Sequence, residues 1–246
     1  MKILEDVAID RIYAERVVDI YLPDSNSFDV YIFFHGGGLA DGTQKSDVQF
    51  AEFFTKNNIA VVSAEYRKYP NAVFQQFIED AAYAVNWVKE NMRQYGNVTG
   101  MFVGGSSAGA YLTMMLYFNP EYLKKYDLTR NDFNGFIFDA GQPTTHFQVL
   151  KERGLPEYRV VIDDAAPLFY LEDAKGYPPI EIFVADNDIP CRYEQTLLLM
   201  KALEGAGYDM DKLFYHCMRG FTHCGYHTEI GYWEKLLEFI KKYKVL

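Results

Sequence analysis

The chain has 246 residues, of which 49% are hydrophobic and 24% are charged, and its formal net charge is -10. This length is typical of one large α/β domain, and the acidic balance argues against binding to nucleic acid. No apolar run approaches the roughly 18 residues of a membrane helix, and the first residues form no secretory signal. We therefore expect a cytoplasmic protein with no membrane partner, although a chain trimmed of its leader would look the same.

Short β-type runs alternate with amphipathic helical runs along most of the chain. Strands are predicted at residues 4–9, 15–22, 28–34, 59–64, 100–104, 135–139, 180–185 and 212–216. Helices are predicted at residues 46–56, 75–92, 108–118, 194–206 and 228–243. This order predicts an α/β fold with a mostly parallel central sheet and helices on both faces.

Residues 142–179 interrupt the alternation. The segment holds five prolines and no sustained hydrophobic period. We expect a single domain over residues 1–246, with a cap or insertion at about 142–179. Ligands bind at the carboxyl edge of open α/β sheets, so the insertion is a candidate lid or substrate wall. A plain surface excursion is the alternative.

The strongest local motif is Gly105-Ser106-Ser107-Ala108-Gly109, between a predicted strand and a predicted helix. It matches the Gly-x-Ser-x-Gly nucleophile elbow in the context that this motif requires. Small residues two before and two after the serine let strand and helix approach closely. The helix N-terminus behind the serine favours developing negative charge. Ser107 is therefore the candidate nucleophile.

A second motif, His35-Gly36-Gly37-Gly38, ends the strand predicted at 28–34. Glycines there let backbone N–H groups reach an oxyanion without obstruction by side chains. We assign Gly37 and Gly38 as oxyanion-hole donors, with the N–H of Ala108 as the third. A phosphate-binding loop is disfavoured, because neither nucleotide-binding spacing of glycines is present.

With these motifs the chain resembles the hormone-sensitive-lipase-like and feruloyl/acetyl-esterase-like carboxylesterases of the α/β-hydrolase superfamily. The resemblance covers nearly the whole length. It is carried by residues 19–23, the glycine loop, residues 65–70 with Glu79, Asp80 and Trp87, the elbow, and the segments around Asp188 and His223. It implies an α/β-hydrolase fold, a Ser-Asp-His triad in that chain order, and ester hydrolysis without metal or cofactor.

The same resemblance selects the acid and the base. The family pattern has a small residue three before the acid and an apolar residue soon after it, which Ala185 and Ile189 satisfy around Asp188. Asp186 is the alternative acid, and Asp139 is a third candidate that we expect to brace the insertion. His223 lies in the loop before the last helix, where its imidazole can reach the serine.

The remaining histidines and the cysteines receive structural interpretations. We expect His35 to hydrogen-bond its loop, His216 to be a satisfied core residue, His227 to be a surface or capping residue, and His146 to be solvated. Cys191, Cys217 and Cys224 match no disulfide framework or zinc spacing and are expected to be reduced thiols. Two departures leave the subfamily open: Ser106 stands where many relatives carry Asp, and Tyr226 stands where small or apolar residues are common.

The sequence therefore predicts a serine carboxylesterase that acts on short-chain acyl or aryl esters of acetyl or feruloyl type. An arylformamidase-like amide hydrolase and a catalytically silent hydrolase-fold receptor are the alternatives. The expected partner is a small-molecule ester, and a homodimer stays open because the sequence does not determine the oligomeric state.

Overall fold

The computed structural model describes residues 1–244, and within that range the chain forms eight β-strands and seven α-helices. The strands are β1 (Lys2–Ala8), β2 (Val17–Leu22), β3 (Ser27–Phe34), β4 (Ile59–Ala64), β5 (Asn97–Ser106), β6 (Gly135–Asp139), β7 (Ile180–Asn187) and β8 (Leu213–Thr222). The helices are α1 (Ala51–Lys56), α2 (Gln76–Asn91), α3 (Ala108–Phe118), α4 (Pro120–Lys124), α5 (Phe147–Glu152), α6 (Arg192–Gly205) and α7 (Ile230–Tyr243). Residues 245–246 of the predicted domain lie outside the described residues.

All eight strands belong to one sheet with the order β1-β2-β4-β3-β5-β6-β7-β8. The pairs β1–β2 and β2–β4 are antiparallel, and every other neighbouring pair is parallel. The prediction of a mostly parallel sheet covered by helices is confirmed. Because consecutive parallel strands need long crossovers, the helices of the chain lie between them and cover both faces.

The central strands are buried on both faces. On β3, Ile32 packs into a core shared with α2 and α3, whereas Phe33 packs into a second core shared with α1 and α7. Every residue of α3 is buried. A helix that is apolar on all sides is typical of a core position, so α3 is held firmly behind β5.

Strand β4 and five further parallel strands bring their carboxyl ends to one edge of the sheet. The five further strands are β3, β5, β6, β7 and β8. The residues that directly follow these strands are His35, Ser107, Ala140, Asp188 and His223. Four of these five positions carry or flank the predicted site residues. The topology therefore brings Ser107 and His223, which are 116 residues apart in the chain, to the edge where α/β folds bind ligands.

Several predicted boundaries were wrong. The helix predicted at 46–56 begins only at Ala51, because Asp47 has a φ of 58°, which a right-handed helix does not accept. The strand predicted at 212–216 continues to Thr222, since β8 pairs with β7 as far as Asn187 after a register shift. Residues 142–179 contain α5, which the sequence pattern did not predict.

Candidate active site

The turn between β5 and α3 holds Ser107 in a conformation that L-residues rarely adopt, with φ 51° and ψ -109°. Its N–H donates to the carbonyl oxygen of Asp139 at 2.7 Å. Glycine is required at both flanking positions because a side chain would not fit there. A Cβ at Gly105 would lie 2.5 Å from the carbonyl carbon of Gly109, and a Cβ at Gly109 would lie 2.0 Å from the oxygen of Phe34. The elbow therefore depends on both glycines, as the motif predicts.

Ser107, His223 and Asp188 form one line of hydrogen bonds. Ser107 Oγ lies 2.8 Å from His223 Nε2, and His223 Nδ1 lies 2.6 Å from Asp188 Oδ1. The Asp188 side chain is fully buried, whereas 23% of the His223 side chain is exposed. In the neutral imidazole, Nδ1–H donates a hydrogen bond to the Asp188 carboxylate, so that Nε2 can accept a hydrogen bond from the Ser107 hydroxyl.

Asp186, the alternative acid, lies elsewhere. Its Oδ1 accepts a hydrogen bond from the N–H of Gly220 at 2.7 Å, so it contacts the neighbouring strand rather than His223. Asp188 is held in place by the N–H of Ile189, which donates to Oδ1 at 2.8 Å. Of the two carboxylates at the end of β7, only Asp188 lies in the hydrogen-bond line.

The surroundings of His223 act on its pKa in opposite directions. Burial lowers the pKa of the imidazole, but the hydrogen bond to Asp188 and the neighbouring Cys224 raise it more, to about 9. The imidazolium form is thus stabilised in this site. Stabilisation of the imidazolium is what a base needs when it takes a proton from a hydroxyl group.

The glycine loop lies directly beside Ser107. A Cβ placed on Gly36 would lie 3.4 Å from Ser107 Cβ. Gly37 and Gly38 have φ values of 113° and 63°, in the region that favours glycine. In residues 1–244, no protein acceptor is hydrogen-bonded to the N–H of Gly37, Gly38 or Ala108. These three groups are the ones that the sequence assigned to an oxyanion.

His35 contacts the glycine loop from the buried side and holds it in place. Its ring is fully buried, with Nδ1 2.6 Å from the oxygen of Gly36 and Nε2 2.9 Å from Glu65 Oε1. The ring also stacks on Tyr66 with centroids 4.6 Å apart. His35 therefore fixes the loop and does not contact the serine.

Asp139 and His227 form a buried cluster that the sequence interpretation missed. His227 Nε2 lies 2.6 Å from Asp139 Oδ2, and the hydroxyls of Tyr226 and Tyr232 donate to the same carboxylate at 2.5 and 2.8 Å. The expectation that His227 is a surface or capping residue was wrong, as was the expectation that Asp139 braces the insertion. Asp139 braces the loop that carries His223.

Charge pairing explains why this cluster is stable in the interior. Burial lowers the pKa of His227, but the charge and hydrogen bond of Asp139 raise it well above its usual range. The nearby Asp47 carboxylate, 3.7 Å from His227 Nδ1, adds to this effect. The one sequence signal that could have indicated the cluster is the recurrence of polar aromatic residues directly after His223.

His146 is also placed differently from expectation. Its side chain is fully buried, it accepts a hydrogen bond from the N–H of Gln148 at the start of α5, and it packs against Tyr111 and Phe147. Burial, with a smaller contribution from the charge of Arg192, lowers its pKa well below the usual value. The prediction of a solvated histidine was wrong because the insertion packs onto α3.

The other predicted structural residues raise no further candidate site. His216 Nε2 lies 3.0 Å from Glu181 Oε1, and the three cysteines are free thiols. Among residues 1–244, no group of three metal-ligating side chains comes together, and no helix has the length and apolar character needed to cross a bilayer.

A cavity of about 320 Å³ adjoins the site. It is lined by Gln142, Phe147, Glu157, Tyr158, Arg159, Ile189, Pro190, Cys191, Arg192 and Gln195. Phe147 connects the cavity to the glycine loop, since its ring lies 3.0 Å from the position of a Cβ on Gly38. Ile189 connects it to Asp188. The cavity thus lies next to the glycine loop and to the residue that follows Asp188.

The order of the strands and helices, with these groups at the carboxyl edge of the sheet, is that of the α/β-hydrolase fold. The chain is similar to several solved structures over nearly its whole length: a truncated carbohydrate esterase from gut microbiota aligns with a TM-score of 0.81 and 16% identity, over 98% of this chain and 96% of that one. A thermophilic esterase from Thermogutta terrifontis aligns with a TM-score of 0.77 and 19% identity, over 98% and 91% of the two chains. At these identities the likeness shows the fold, and the predicted α/β-hydrolase fold is confirmed.

Sequence comparisons also find proteins to which the chain is similar. The BD-FAE family model matches residues 18–134, a little under half of the chain. Kynurenine formamidase of Danio rerio is 28% identical over 212 residues, covering 83% of this chain and 70% of that protein. Esterase LipI of Mycobacterium tuberculosis is 34% identical over 96 residues, which cover 38% of this chain and only 30% of that esterase. The resemblance to α/β-hydrolase carboxylesterases is confirmed, and the particular reaction of this chain is a proposal.

Proposed function

We propose that the protein is a serine carboxylesterase that hydrolyses short-chain acyl or aryl esters, of acetyl or feruloyl type, through Ser107, His223 and Asp188. The observation that carries this proposal is the unbroken hydrogen-bond line from Ser107 Oγ through His223 to the buried Asp188, at 2.8 and 2.6 Å. A serine hydroxyl is a weak nucleophile by itself, and an adjacent, oriented base activates it.

The first half of the reaction transfers the acyl group to the enzyme. Ser107 Oγ attacks the ester carbonyl carbon while His223 Nε2 takes the hydroxyl proton. The carbonyl oxygen becomes an oxyanion, to which the N–H groups of Gly37, Gly38 and Ala108 donate. Each such donor contributes about 2.7 to 4 kcal/mol to transition-state stabilisation. Collapse of the intermediate breaks the ester bond, and His223 passes its proton to the leaving oxygen.

The second half releases the acid. Water attacks the acyl-enzyme carbonyl, and His223 now takes the proton of that water. The second tetrahedral intermediate uses the same three N–H donors. Its collapse frees the carboxylic acid and returns the proton to Ser107, so the enzyme ends in its starting state.

The insertion supplies the substrate pocket in this proposal. Phe147, Tyr158 and Arg159 belong to residues 142–179 and line the cavity beside the glycine loop. A mostly apolar cavity with a few polar groups is the ordinary form of a small-molecule site. We therefore assign the insertion the role of a substrate wall.

Labelling with a fluorophosphonate tests the nucleophile directly. The probe should modify Ser107 in the folded protein, and Ser107→Ala should abolish both labelling and ester turnover. Ser106→Ala is the matched control, because Ser106 is the adjacent serine and its buried Oγ has no hydrogen-bond partner among the described residues. Intact protein that is not labelled at Ser107 would instead support a catalytically silent receptor.

An amide hydrolase is the second candidate, favoured by the similarity to kynurenine formamidase over 83% of this chain. The same serine, histidine and oxyanion donors serve both reactions. Rates on p-nitrophenyl acetate, p-nitrophenyl butyrate, a feruloyl ester and N-formylkynurenine separate the two. Turnover of the formamide well above that of every ester would make the amide hydrolase the favoured function.

A further inference from the structure

Arg192 is a buried cation that forms no direct ion pair with a carboxylate of residues 1–244, although the charge of Asp188 acts on it from a longer distance. Only 2% of its surface is exposed, and no carboxylate of the described residues lies within ion-pair distance of it. Its guanidinium donates to the carbonyl oxygen of Ala140 at 2.5 Å and to Gln142 Oε1 at 3.1 Å. These bonds occupy two of the five N–H donors of an arginine. Burial of a charge without a counter-ion is costly, so it is rare without a functional reason.

The guanidinium stays charged despite its burial. Loss of hydration lowers the pKa of Arg192 to about 10, partly offset by the charge of Asp188. At neutral pH the side chain is therefore a cation. Its charge also helps to keep the neighbouring His146 neutral.

Arg192 lies in the wall of the cavity beside the candidate triad, and other positive features share that wall. Arg159 lines the rim and has no ion pair in residues 1–244. Cys191, also in the wall, is the N-cap of α6 and forms no side-chain capping bond, so no acidic side chain caps the positive end of the helix, although the N–H of Arg192 donates to the carbonyl oxygen of Ile189 at 3.1 Å. Glu157 is the one acidic group of the lining, and Lys151 balances it at 3.6 Å.

The remaining wall is apolar and aromatic, with Phe147, Tyr158, Ile189 and Pro190. This local excess of positive charge contrasts with a formal net charge of -10 for the whole chain. An apolar body with one anionic end would bury its body against these side chains and pair its charge with the arginines. A planar guanidinium matches a carboxylate especially well.

We propose that the cavity selects substrates that carry a carboxylate on an apolar or aromatic spacer next to the scissile bond, with Arg192 as the specificity-determining residue and Arg159 as a rim contact. This inference rests on the proposed function. To that function it adds a preference for a negatively charged substrate, which neither the nucleophile nor the oxyanion donors determine.

Two pairs of substrates test the charge preference on either side of the ester bond. On the acyl side, mono-4-nitrophenyl glutarate is compared with 4-nitrophenyl valerate. On the leaving-group side, 4-acetoxybenzoate is compared with 4-acetoxybenzamide. The anionic member of one pair should have a kcat/KM about tenfold higher than its neutral partner, the factor expected from one favourable charge contact. The advantage should shrink as salt concentration rises.

Substitutions identify the residue responsible. Arg192→Gln should bring the ratio of kcat/KM for the anionic and neutral substrates close to one, and Arg192→Lys should restore part of it. Arg159→Gln should lower the ratio about two- to threefold, because its charge is exposed and screened. Arg93→Gln is the matched control. It removes the same charge beside the start of β5, at the opposite end of the strand from Ser107, and should leave the ratio unchanged.

The outcomes separate this inference from the proposed function. Absence of labelling at Ser107 and of turnover for every ester would overturn the function. Hydrolysis of the neutral esters without any anionic preference, or a preference that survives Arg192→Gln, would overturn the charge inference alone. If Arg192→Gln does not fold, Arg192→Lys takes its place, and a ratio equal to that of the wild type in folded Arg192→Lys and in Arg159→Gln overturns the inference.

Discussion

The backbone carbonyl of Asp139 accepts a hydrogen bond from the N–H of Ser107 at 2.7 Å, while the side chain of the same aspartate pairs with His227 at 2.6 Å. One residue at the end of β6 thus contacts both the elbow and the loop that carries His223. His227 and Tyr226 lie within four residues of His223. The position of His223 relative to Ser107 therefore depends on a carboxylate that lies outside the hydrogen-bond line of Ser107, His223 and Asp188.

A double-mutant cycle on Asp139 and His227 measures this dependence. Asp139→Asn leaves a buried imidazolium without its partner, and His227→Gln leaves a buried carboxylate. Each single substitution should lower the free energy of unfolding by about 3–5 kcal/mol, as is typical when one member of a buried ion pair is removed. The double variant should lose much less unfolding free energy than the sum of the losses in the two single variants. Urea unfolding monitored by fluorescence gives all four values.

Catalysis provides a second measurement for the same variants. Below the unfolding transition, Asp139→Asn should lower kcat more than it raises KM, because the loop positions the base rather than the substrate. Additive losses of stability, or a wild-type kcat in folded Asp139→Asn, would contradict the role of Asp139 as a positioning residue.

The elbow and the glycine loop could be predicted because their signals are local. The glycine at 105 is required partly by a contact with Gly109 inside the strand-turn-helix unit, whereas the glycine at 109 is required by the close approach of Phe34 on β3. Both requirements are nevertheless recorded in one five-residue pattern. The cluster around Asp139 could not be predicted in this way. Its partners lie 87 to 93 residues away along the chain, and nothing near Asp139 in the sequence indicates them.

The choice between Asp186 and Asp188 could be predicted only in part. Asp186 is the second-last residue of β7 and Asp188 directly follows the strand, and the pairing of β7 with β8 shifts register between Ala185 and Asn187. The sequence pattern prefers Asp188, but the distance that distinguishes them arises only when the two strands pair. His146 differs again: its burial results from the packing of α5 against Tyr111, a tertiary contact without a local signal.

Paired substitutions at these two aspartates test the assignment of the acid. Asp188→Asn should lower kcat/KM about ten-thousand-fold, because an amide no longer orients the imidazole or stabilises its charged form. Asp186→Asn keeps an oxygen that can accept from the N–H of Gly220 and should change kcat/KM only slightly. Initial rates on p-nitrophenyl acetate measure both. Equal losses of kcat/KM in the two variants would contradict the assignment of Asp188 as the acid that orients His223.

The pH dependence of the reaction follows from the charge state of His223. Only the neutral imidazole can take the proton of Ser107, and its pKa is raised to about 9. The value of kcat/KM should therefore rise with pH through the neutral range and level off above about pH 9. Ring resonances in NMR offer an independent measurement, with His216 as the internal reference because burial lowers its pKa to about 4. A midpoint near the ordinary value for histidine would show that Asp188 does not stabilise the imidazolium.

The same raised pKa has a consequence for stability. The folded protein binds this proton more tightly than the unfolded chain does. The contribution of the His223–Asp188 pair to folding is therefore fully present below the ordinary histidine pKa of about 6.5 and is lost as pH rises through about 9. Asp188→Asn should reduce the pH dependence of the unfolding free energy in this window, as followed by urea denaturation.

Two helical glycines at equivalent positions test why the elbow needs glycine. Gly109 and Gly231 are each the second residue of a helix, α3 and α7. A Cβ at Gly109 would lie 2.0 Å from the oxygen of Phe34, whereas nothing lies within 4 Å of a Cβ at Gly231. Gly109→Ala should therefore destabilise the fold by about 1–3 kcal/mol or more, since strand and helix must separate. Gly231→Ala should be neutral or stabilise by up to about 1 kcal/mol, because alanine is the better helix former. Thermal unfolding compares the two, and an equal response would mean that the close approach of β3 and α3 does not constrain position 109.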